Sequence, residues 1–293
     1  MTFSIVVRAE GAYGVAVASK FLAVGAVVPA AEAGSGALAT QSYANVAYRP
    51  QGLALLRTGV DAGGVVAGLT AADPDRARRQ LGVVSAAGPG ASFTGADCHD
   101  WAGGETGDGW AVQGNLLAGP QVVPAMRDAW LAGGAGGNHR GGTAGLRLAG
   151  RLLAALRAGD AAGGDRRGRQ SAAVLVVAAG QGYGGTSDMA VDLRVDDHPD
   201  PTGELARLLD VHRLLYGEPE PDAVLELTGP LAGEVRARLA GLAHPPADDS
   251  PAALDAALAG WAGVENLEGR IVPGRIDPLV LDRLRASAGN GEV

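Results

Sequence analysis

The first residues of the chain carry the groups needed for nucleophilic catalysis. Thr2 follows Met1, and a residue as small as Thr permits removal of the methionine. Thr2 would then combine a hydroxyl nucleophile with a free α-amine, whose ordinary pKa of about 7.7–8.0 leaves a useful fraction uncharged near pH 7. Such an amine can take the proton of the hydroxyl. We therefore predict that Thr2 is the nucleophile and that its own amine is the base.

Lys20 is the only lysine in a chain that has 23 arginines, and it follows Thr2 closely. Residues 2–7 and 13–19 alternate as β-strands do, and a turn at residues 10–12 would join them. If these strands pair in register, Lys20 lies beside Thr2. Its positive charge would then lower the pKa of the amine and of the hydroxyl. The sequence therefore predicts electrostatic support of the nucleophile by Lys20.

Further polar side chains near predicted strand ends could complete such a site. Asn115 could donate from its amide to a tetrahedral oxyanion, or it could be a turn residue bonded to its own backbone. Arg167 could bind a substrate carboxylate, or Asp165 could pair with Arg167 or Arg169 and shape the loop. The predicted catalytic residues are Thr2, Lys20 and Asn115, and the predicted substrate-binding residues are Gln41, Asn45, Gln113, Asp165, Arg167 and Ser171.

Hydrophobic patterning predicts an α+β protein, because strands and helices occur in separate runs instead of alternating regularly. Asp73 and Pro74 have the form of a helix N-cap followed by Pro in the first turn. A glycine-rich loop is expected at residues 133–142. Beyond the first hairpin, the predicted strands are 34–42, 81–87, 91–95, 109–115, 172–178 and 189–195, and the predicted helices are 51–58, 65–72, 120–131, 146–158 and 205–216. We expect helices to flank a pair of sheets.

The composition changes near residue 217. Residues 218–293 carry 13 acidic and 6 basic side chains, a net charge of −7, out of −8 for the whole chain. Residues 218–221 alternate Glu and Pro, which is typical of a semi-rigid linker. Helices are predicted at 231–242 and 251–262, with Ser250 as an N-cap. The sequence therefore predicts two domains, at residues 1–217 and 218–293, the second acidic and mostly helical.

Several classes of protein are excluded or disfavoured by composition. A single Cys excludes a disulfide framework and a Cys-rich zinc module. The acidic charge disfavours nucleic-acid binding. No apolar stretch approaches the roughly 20 residues of a membrane-spanning helix, so we expect a cytoplasmic protein without a membrane partner. We also expect a homo-oligomer and no cofactor, with a metal site at Asp196, Asp197 and His198 as the weaker alternative.

Six segments, spread over about three quarters of the chain, carry a family resemblance. They are residues 2–6, 14–20, 39–45, 112–115, 164–171 and 192–199. Together they resemble the N-terminal-nucleophile (Ntn) hydrolase-like family that is classed as domain of unknown function 1028 (DUF1028). The resemblance implies a four-layer αββα sandwich similar to proteasome subunits, but no assigned reaction. Proteasome β-subunits use a terminal Thr with an Asp and a Lys, whereas Ala18 and Ser19 stand in the second strand here.

Residues 258–268 resemble a C-terminal segment of the same family that is classed as peptidoglycan-binding. Peptidoglycan is therefore a possible partner, although a net charge of −7 would be repelled by an anionic cell wall.

These observations favour an Ntn amidohydrolase that acts on a small-molecule amide or imide. The alternative is a non-catalytic binding or scaffold protein that keeps the fold and uses the acidic C-terminal segment as an interaction module.

Overall fold

The computed structural model describes residues 2–134 and 142–287. Most of the glycine-rich stretch predicted as a loop therefore lies outside the described residues. In chain order the first unit contains β1 (Thr2–Ala9), β2 (Ala12–Ser19), α1 (Val24–Val27), β3 (Pro29–Glu32), β4 (Gly36–Ser42), α2 (Tyr48–Arg57), α3 (Ala62–Ala71), β5 (Arg79–Ser85), β6 (Ala91–Thr94), β7 (Gly103–Gly107), β8 (Trp110–Asn115), α4 (Val122–Gly134), α5 (Ala144–Ala161), β9 (Ser171–Ala178), β10 (Met189–Val195) and the first part of α6 (Pro201–Tyr216).

Two antiparallel sheets form the frame of this unit. The larger has the order β10-β9-β2-β1-β8-β7, and the smaller has the order β3-β4-β5-β6. β1 lies in the middle of the larger sheet, where it pairs with β2 on one side and β8 on the other. β1 is therefore hydrogen-bonded along both edges, and its first residue, Thr2, pairs with Asn115 of β8.

Alternation along β1 divides its side chains between two hydrophobic cores. Phe3, Ile5 and Val7 pack with α4 and α5 on one face of the larger sheet. Val6 points the other way and packs with Ala37 of the smaller sheet. This division follows from the two-residue period of a strand. It places Thr2 and Ser4 on the same side of β1 as Val6, toward the smaller sheet.

The outer face of the smaller sheet is covered by the next two helices. Leu38 of β4 and Leu81 of β5 pack with Tyr48 and Leu56 of α2 and with Val65 of α3. The two sheets thus share one core between them, and each has helices on its other face. The prediction of an α+β protein is confirmed.

Sequence patterns missed the elements that have little hydrophobic signal. β7 has the sequence Gly-Gly-Glu-Thr-Gly and lies at the edge of the larger sheet, and α1 is only four residues long. The helix predicted to start at Asp73 is a single 3-10 turn, Arg76–Arg78, before β5. In each case the element depends on a tertiary partner more than on local propensity.

Residues 210–293 form a second compact unit. After α6 its described part contains β11 (Leu225–Glu226), α7 (Gly229–Gly241), α8 (Pro251–Val264), β12 (Arg275–Ile276) and α9 (Pro278–Ser287). The Ser250 hydroxyl accepts from the Ala253 amide and so caps α8 as predicted. Trp261 is buried with Leu239 and Leu284 in the core of this unit. The division between the units falls within α6, whereas the sequence predicted it at the end of that helix.

Within the described part of the chain, none of the helices has both the length and the apolar character needed to cross a bilayer.

We expect Leu156→Ala to destabilise the protein strongly, because Leu156 is fully buried in the core between α5 and the larger sheet. The cavity left behind should cost about 2–5 kcal/mol in the free energy of unfolding. Leu131→Ala is the matched control, since Leu131 is 51 % exposed on the neighbouring α4. Urea unfolding followed by circular dichroism measures both. Equal losses in the two variants would contradict the described packing.

Candidate functional site

Thr2 is the first residue of β1, and it lines a cavity of about 400 Å³. The residue is 5 % exposed, and its hydroxyl donates to the Ser19 hydroxyl at 3.2 Å. Met1 lies outside the described residues. Apolar and polar residues both line the cavity. The apolar ones are Phe21, Val24, Val27, Val28 and Ala44, and the polar or charged ones are Thr2, Gln41, Ser42, Tyr43 and Arg79.

Buried amide side chains hold the backbone carbonyl of Thr2. Gln41 donates to this oxygen at 3.2 Å and Asn115 donates to it at 3.5 Å. Gln80 accepts from the same two amide groups, at 2.8 Å each. All three amide residues are at most 2 % exposed. In such a setting a polar group without a partner is costly, so the network fixes Thr2 in one position.

Asn115 is therefore a positioning residue in this arrangement. The two hydrogens of its Nδ2 are directed to the Thr2 carbonyl and to Gln80. Neither is left to stabilise an oxyanion, which was the role expected from the sequence.

Gln113 extends the network away from the cavity. Its amide donates to the Ser4 hydroxyl at 2.7 Å, and Ser4 donates to Gln41 at 2.6 Å. Gln113 is fully buried and is not among the described residues that line the cavity. Gly82 makes room for it, because a Cβ at that position would lie 2.1 Å from its Oε1. Gln113 thus connects the sheets, whereas the sequence suggested contact with substrate.

Lys20 is not the neighbour of Thr2 that the sequence predicted. Phe3 pairs with Ala18, so the residue opposite Thr2 is Ser19. Lys20 is exposed just beyond the strand end, and its Nζ donates to the Arg169 carbonyl at 3.2 Å. Successive strand residues face opposite sides, and a shift of one position therefore replaces the cation by a hydroxyl.

Asp165 and Arg167 pair with each other, which is the structural alternative that the sequence left open. Asp165 is 7 % exposed and accepts from the backbone amide of Lys20 at 2.7 Å. It also accepts from the Arg167 amide at 2.8 Å and pairs with the guanidinium at 3.3 Å. The carboxylate thus ties the loop before β9 to the end of β2.

Ser171 fixes one wall of the cavity without lining it. Its hydroxyl donates to the Phe21 carbonyl and accepts from the Val24 amide at 3.1 Å. Ser171 is fully buried at the start of β9. Its contribution is to hold the segment that carries Phe21 and Val24 against the larger sheet.

Asp73 and Arg79 form a mostly buried ion pair beside the cavity. Arg79 Nε lies 2.9 Å from Asp73, which also accepts from Tyr48 at 2.8 Å and from Asn45 at 3.2 Å. The Arg79 guanidinium, supported by these hydrogen bonds, holds the pKa of the Asp73 carboxyl well below its usual range. Burial, followed by the bond to Asp73, raises the pKa of the Tyr48 hydroxyl. Asn45, predicted to bind substrate, instead supports this carboxylate.

Sequence reasoning missed Ser19, Arg79 and Gln80. The signal for the last two lay in strand pairing, since Gln41 pairs with Gln80 and Ser42 with Arg79. A correct alignment of β4 with β5 would have placed both beside the predicted Gln41.

The weaker metal hypothesis receives no support from geometry. Within residues 2–134 and 142–287 no group of three or more His, Cys, Asp or Glu side chains could hold an ion. His198 accepts from the backbone amide of Asp200 at 3.0 Å and thus belongs to a local turn.

Comparison with known proteins gives a family for each unit. Residues 2–205 match the "Family of unknown function (DUF1028)", and residues 215–284 match the "Putative peptidoglycan binding domain". A crystal structure of a DUF1028 protein from Silicibacter pomeroyi is 30 % identical, with a TM-score of 0.61, and the match covers 80 % of this chain and 92 % of that one. None of the curated proteins compared matches the chain.

We expect Asp73→Asn to cost about 3–5 kcal/mol in the free energy of unfolding, because it leaves the largely buried Arg79 without its main partner. Asp75→Asn is the matched control, since Asp75 is 63 % exposed and contacts Arg79 at only 3.4 Å. It should cost less than about 1 kcal/mol. Urea unfolding at pH 7 measures the difference between the two variants.

The same pair predicts a pH dependence. The folded pKa of Asp73 is lowered, so its contribution is complete above the ordinary Asp pKa of about 3.9 and declines as the pH falls toward the lowered value. The gap between wild type and Asp73→Asn should therefore stay constant from pH 7 to about pH 5. A gap that closes within that range would count against the ion pair.

Proposed function

The chain belongs to the family of unknown function DUF1028, and we propose that it is an Ntn hydrolase that cleaves the carbon–nitrogen bond of a small amide or imide. The main support is the position of Thr2, which lines a cavity of about 400 Å³ while buried amides hold its carbonyl. A nucleophile needs this combination of access and fixed geometry.

The proposed fold is the four-layer αββα sandwich of Ntn hydrolases. Three successive hydrophobic cores support it. In the first, helices pack on the larger sheet; in the second, the two sheets pack on each other; in the third, the smaller sheet packs on α2 and α3. In that arrangement a nucleophile at Thr2 begins a central strand, where it pairs with Asn115 of β8 and its hydroxyl donates to Ser19 of β2.

The proposed reaction begins once removal of Met1 has freed the α-amine of Thr2. The amine takes the proton of Oγ1 while this oxygen attacks the substrate carbonyl carbon. The proton then passes to the leaving nitrogen, the carbon–nitrogen bond breaks, and an ester to Thr2 remains. Water, activated by the same amine, hydrolyses the ester. One amide and one water thus give one carboxylic acid and one amine, with no cofactor required.

The surrounding residues act through Thr2 in this proposal. Gln41 and Asn115 hold its carbonyl, and Ser19 holds its hydroxyl by the 3.2 Å hydrogen bond. Ser19 takes the place that the sequence gave to Lys20. Gln41 also lines the cavity, but its amide donates to the Thr2 carbonyl and to Gln80 and its oxygen accepts from Ser4, so it too acts by holding Thr2.

A non-catalytic binding or scaffold role is the second candidate, and one observation favours it. The C-terminal unit matches a family named for peptidoglycan binding. If binding is the function, Thr2→Ala will leave every phenotype unchanged, whereas deletion of residues 218–293 will abolish it. A cytoplasmic location, a homo-oligomer and the repulsion of the acidic unit by an anionic wall stay predictions.

An epoxyketone probe tests the proposed nucleophile. Its ketone reacts with a hydroxyl and its epoxide with an amine of the same terminal residue, so a ring forms only where both groups are free. We expect a single adduct on Thr2 of protein purified from cells, read by intact mass and peptide mapping. Thr2→Ser should keep the adduct, and Thr2→Ala should abolish it.

Thr58→Ala is the matched control, because Thr58 is an exposed threonine at the end of α2. Its labelling should equal that of wild type. In an amidase assay Thr2→Ala should lose at least about 1,000-fold in rate. Retained Met1 in protein from the native cell, or an unlabelled Thr2 with Met1 removed, would refute the hydrolase proposal.

A further inference from the structure

One wall of the cavity at Thr2 is aliphatic and held firmly. Val24 and Val28 are 1 % and 3 % exposed, and Val28 accepts at its carbonyl from the Thr40 amide at 3.1 Å. Between them, Gly25 lies so close to β9 that a Cβ there would be 2.6 Å from the Cβ of Ala173. The wall therefore rests directly on the larger sheet and has no room to withdraw from a ligand.

Neighbouring carboxylates compensate the positive charge of Arg79 at the cavity. Arg79 is the charged side chain among the described lining residues, and it lies 2.9 Å from Asp73 and 3.4 Å from Asp75. It also donates to the Tyr43 carbonyl. A substrate anion would have to compete with two carboxylates for this cation. A substrate cation would meet no lining carboxylate in the described part of the chain, so the cavity favours an uncharged group.

The dimensions favour a small ligand. A volume of about 400 Å³ is near the lower end of the range of small-molecule pockets. Phe21 and Tyr43 are 49 % and 44 % exposed and therefore lie on the solvent side of the lining. The deeper wall is formed by the buried Val24 and Val28, with the half-buried Val27 beside them. A substrate thus meets aliphatic surface inside and two aromatic rings at the mouth.

We propose that this cavity selects amides with an uncharged, aliphatic acyl group, which packs on Val24, Val27 and Val28. The leaving amine then lies toward Phe21 and Tyr43. This inference rests on the proposed function, because it takes Thr2 Oγ1 as the attacking atom. Hydrolysis converts the neutral amide into an amine and a carboxylate. Arg79 is the only cationic side chain in the described lining, and Asp73 and Asp75 already compensate it, so the product carboxylate gains no unpaired side-chain partner there.

Binding to Thr2→Ala separates selection from catalysis. The probes are three p-nitroanilides of similar acyl length: 4-methylpentanoyl, glutaryl and 4-aminobutanoyl. Isothermal titration should give a Kd for the 4-methylpentanoyl anilide at least about tenfold below the other two, because a charged acyl end would be desolvated without a partner. In wild type, p-nitroaniline release should follow the same order in kcat/KM.

Variants of Val27 test the wall itself. Val27→Asp should weaken binding of the aliphatic anilide by at least about tenfold. Val27→Thr preserves the shape of the side chain and should also raise the Kd of the aliphatic anilide. It tests the wall even if Val27→Asp fails to fold. Val46→Asp is the matched control, because Val46 is 54 % exposed and outside the lining. Its Kd should equal that of the parent protein.

The outcomes distinguish this inference from the proposed function. A glutaryl or 4-aminobutanoyl anilide that binds as tightly as the aliphatic one would overturn the inference, as would the absence of binding by all three. Selective binding of the aliphatic anilide to Thr2→Ala supports the inference even if wild type releases no p-nitroaniline and the epoxyketone leaves Thr2 unlabelled. That last result would refute the hydrolase alone.

Discussion

The hydrogen bond from Gln41 to the Thr2 carbonyl joins the two sheets at the point where β1 begins. A chain terminus ordinarily frays, because its first residues have few partners. Here most polar groups of the side chains enclosed between the sheets pair with one another, Gln113 Oε1 being an exception, and the Thr2 carbonyl is one of their acceptors. The cost of an unpaired amide in that core therefore favours the conformation in which Thr2 is held in place.

The electrostatics of the cavity follow from the same strand pairing. Gln41 and Gln80 are opposite one another in β4 and β5, and the next pair along is Ser42 and Arg79. The alignment that completes the amide network thus also brings Arg79 to the cavity. Asp73 then neutralises it from the turn before β5. The position of Thr2 and the charge of the cavity therefore both depend on the register of β4 with β5.

Local sequence patterns were sufficient for the strands that enter the core. β1, β2, β8 and β9 were recognisable because their apolar residues recur with the period of a half-buried or buried strand. The site itself required long-range alignment. Ser19 replaces Lys20 beside Thr2 through a difference of one residue, and such a difference reverses the face of every side chain. Gln80 and Arg79 carry no motif of their own, so only their strand partner reveals them.

Gly82 and Gln113 constrain each other across the sheets. The Gln113 amide occupies the volume that any Cβ at position 82 would need. Replacement of the glycine would push this amide from Ser4 and, through Ser4, disturb Gln41. Relatives that keep the glutamine should therefore keep the glycine, and a side chain at position 82 should coincide with a shorter residue at 113. Covariation of positions 82 and 113 would identify the relatives in which the same amide network holds β1.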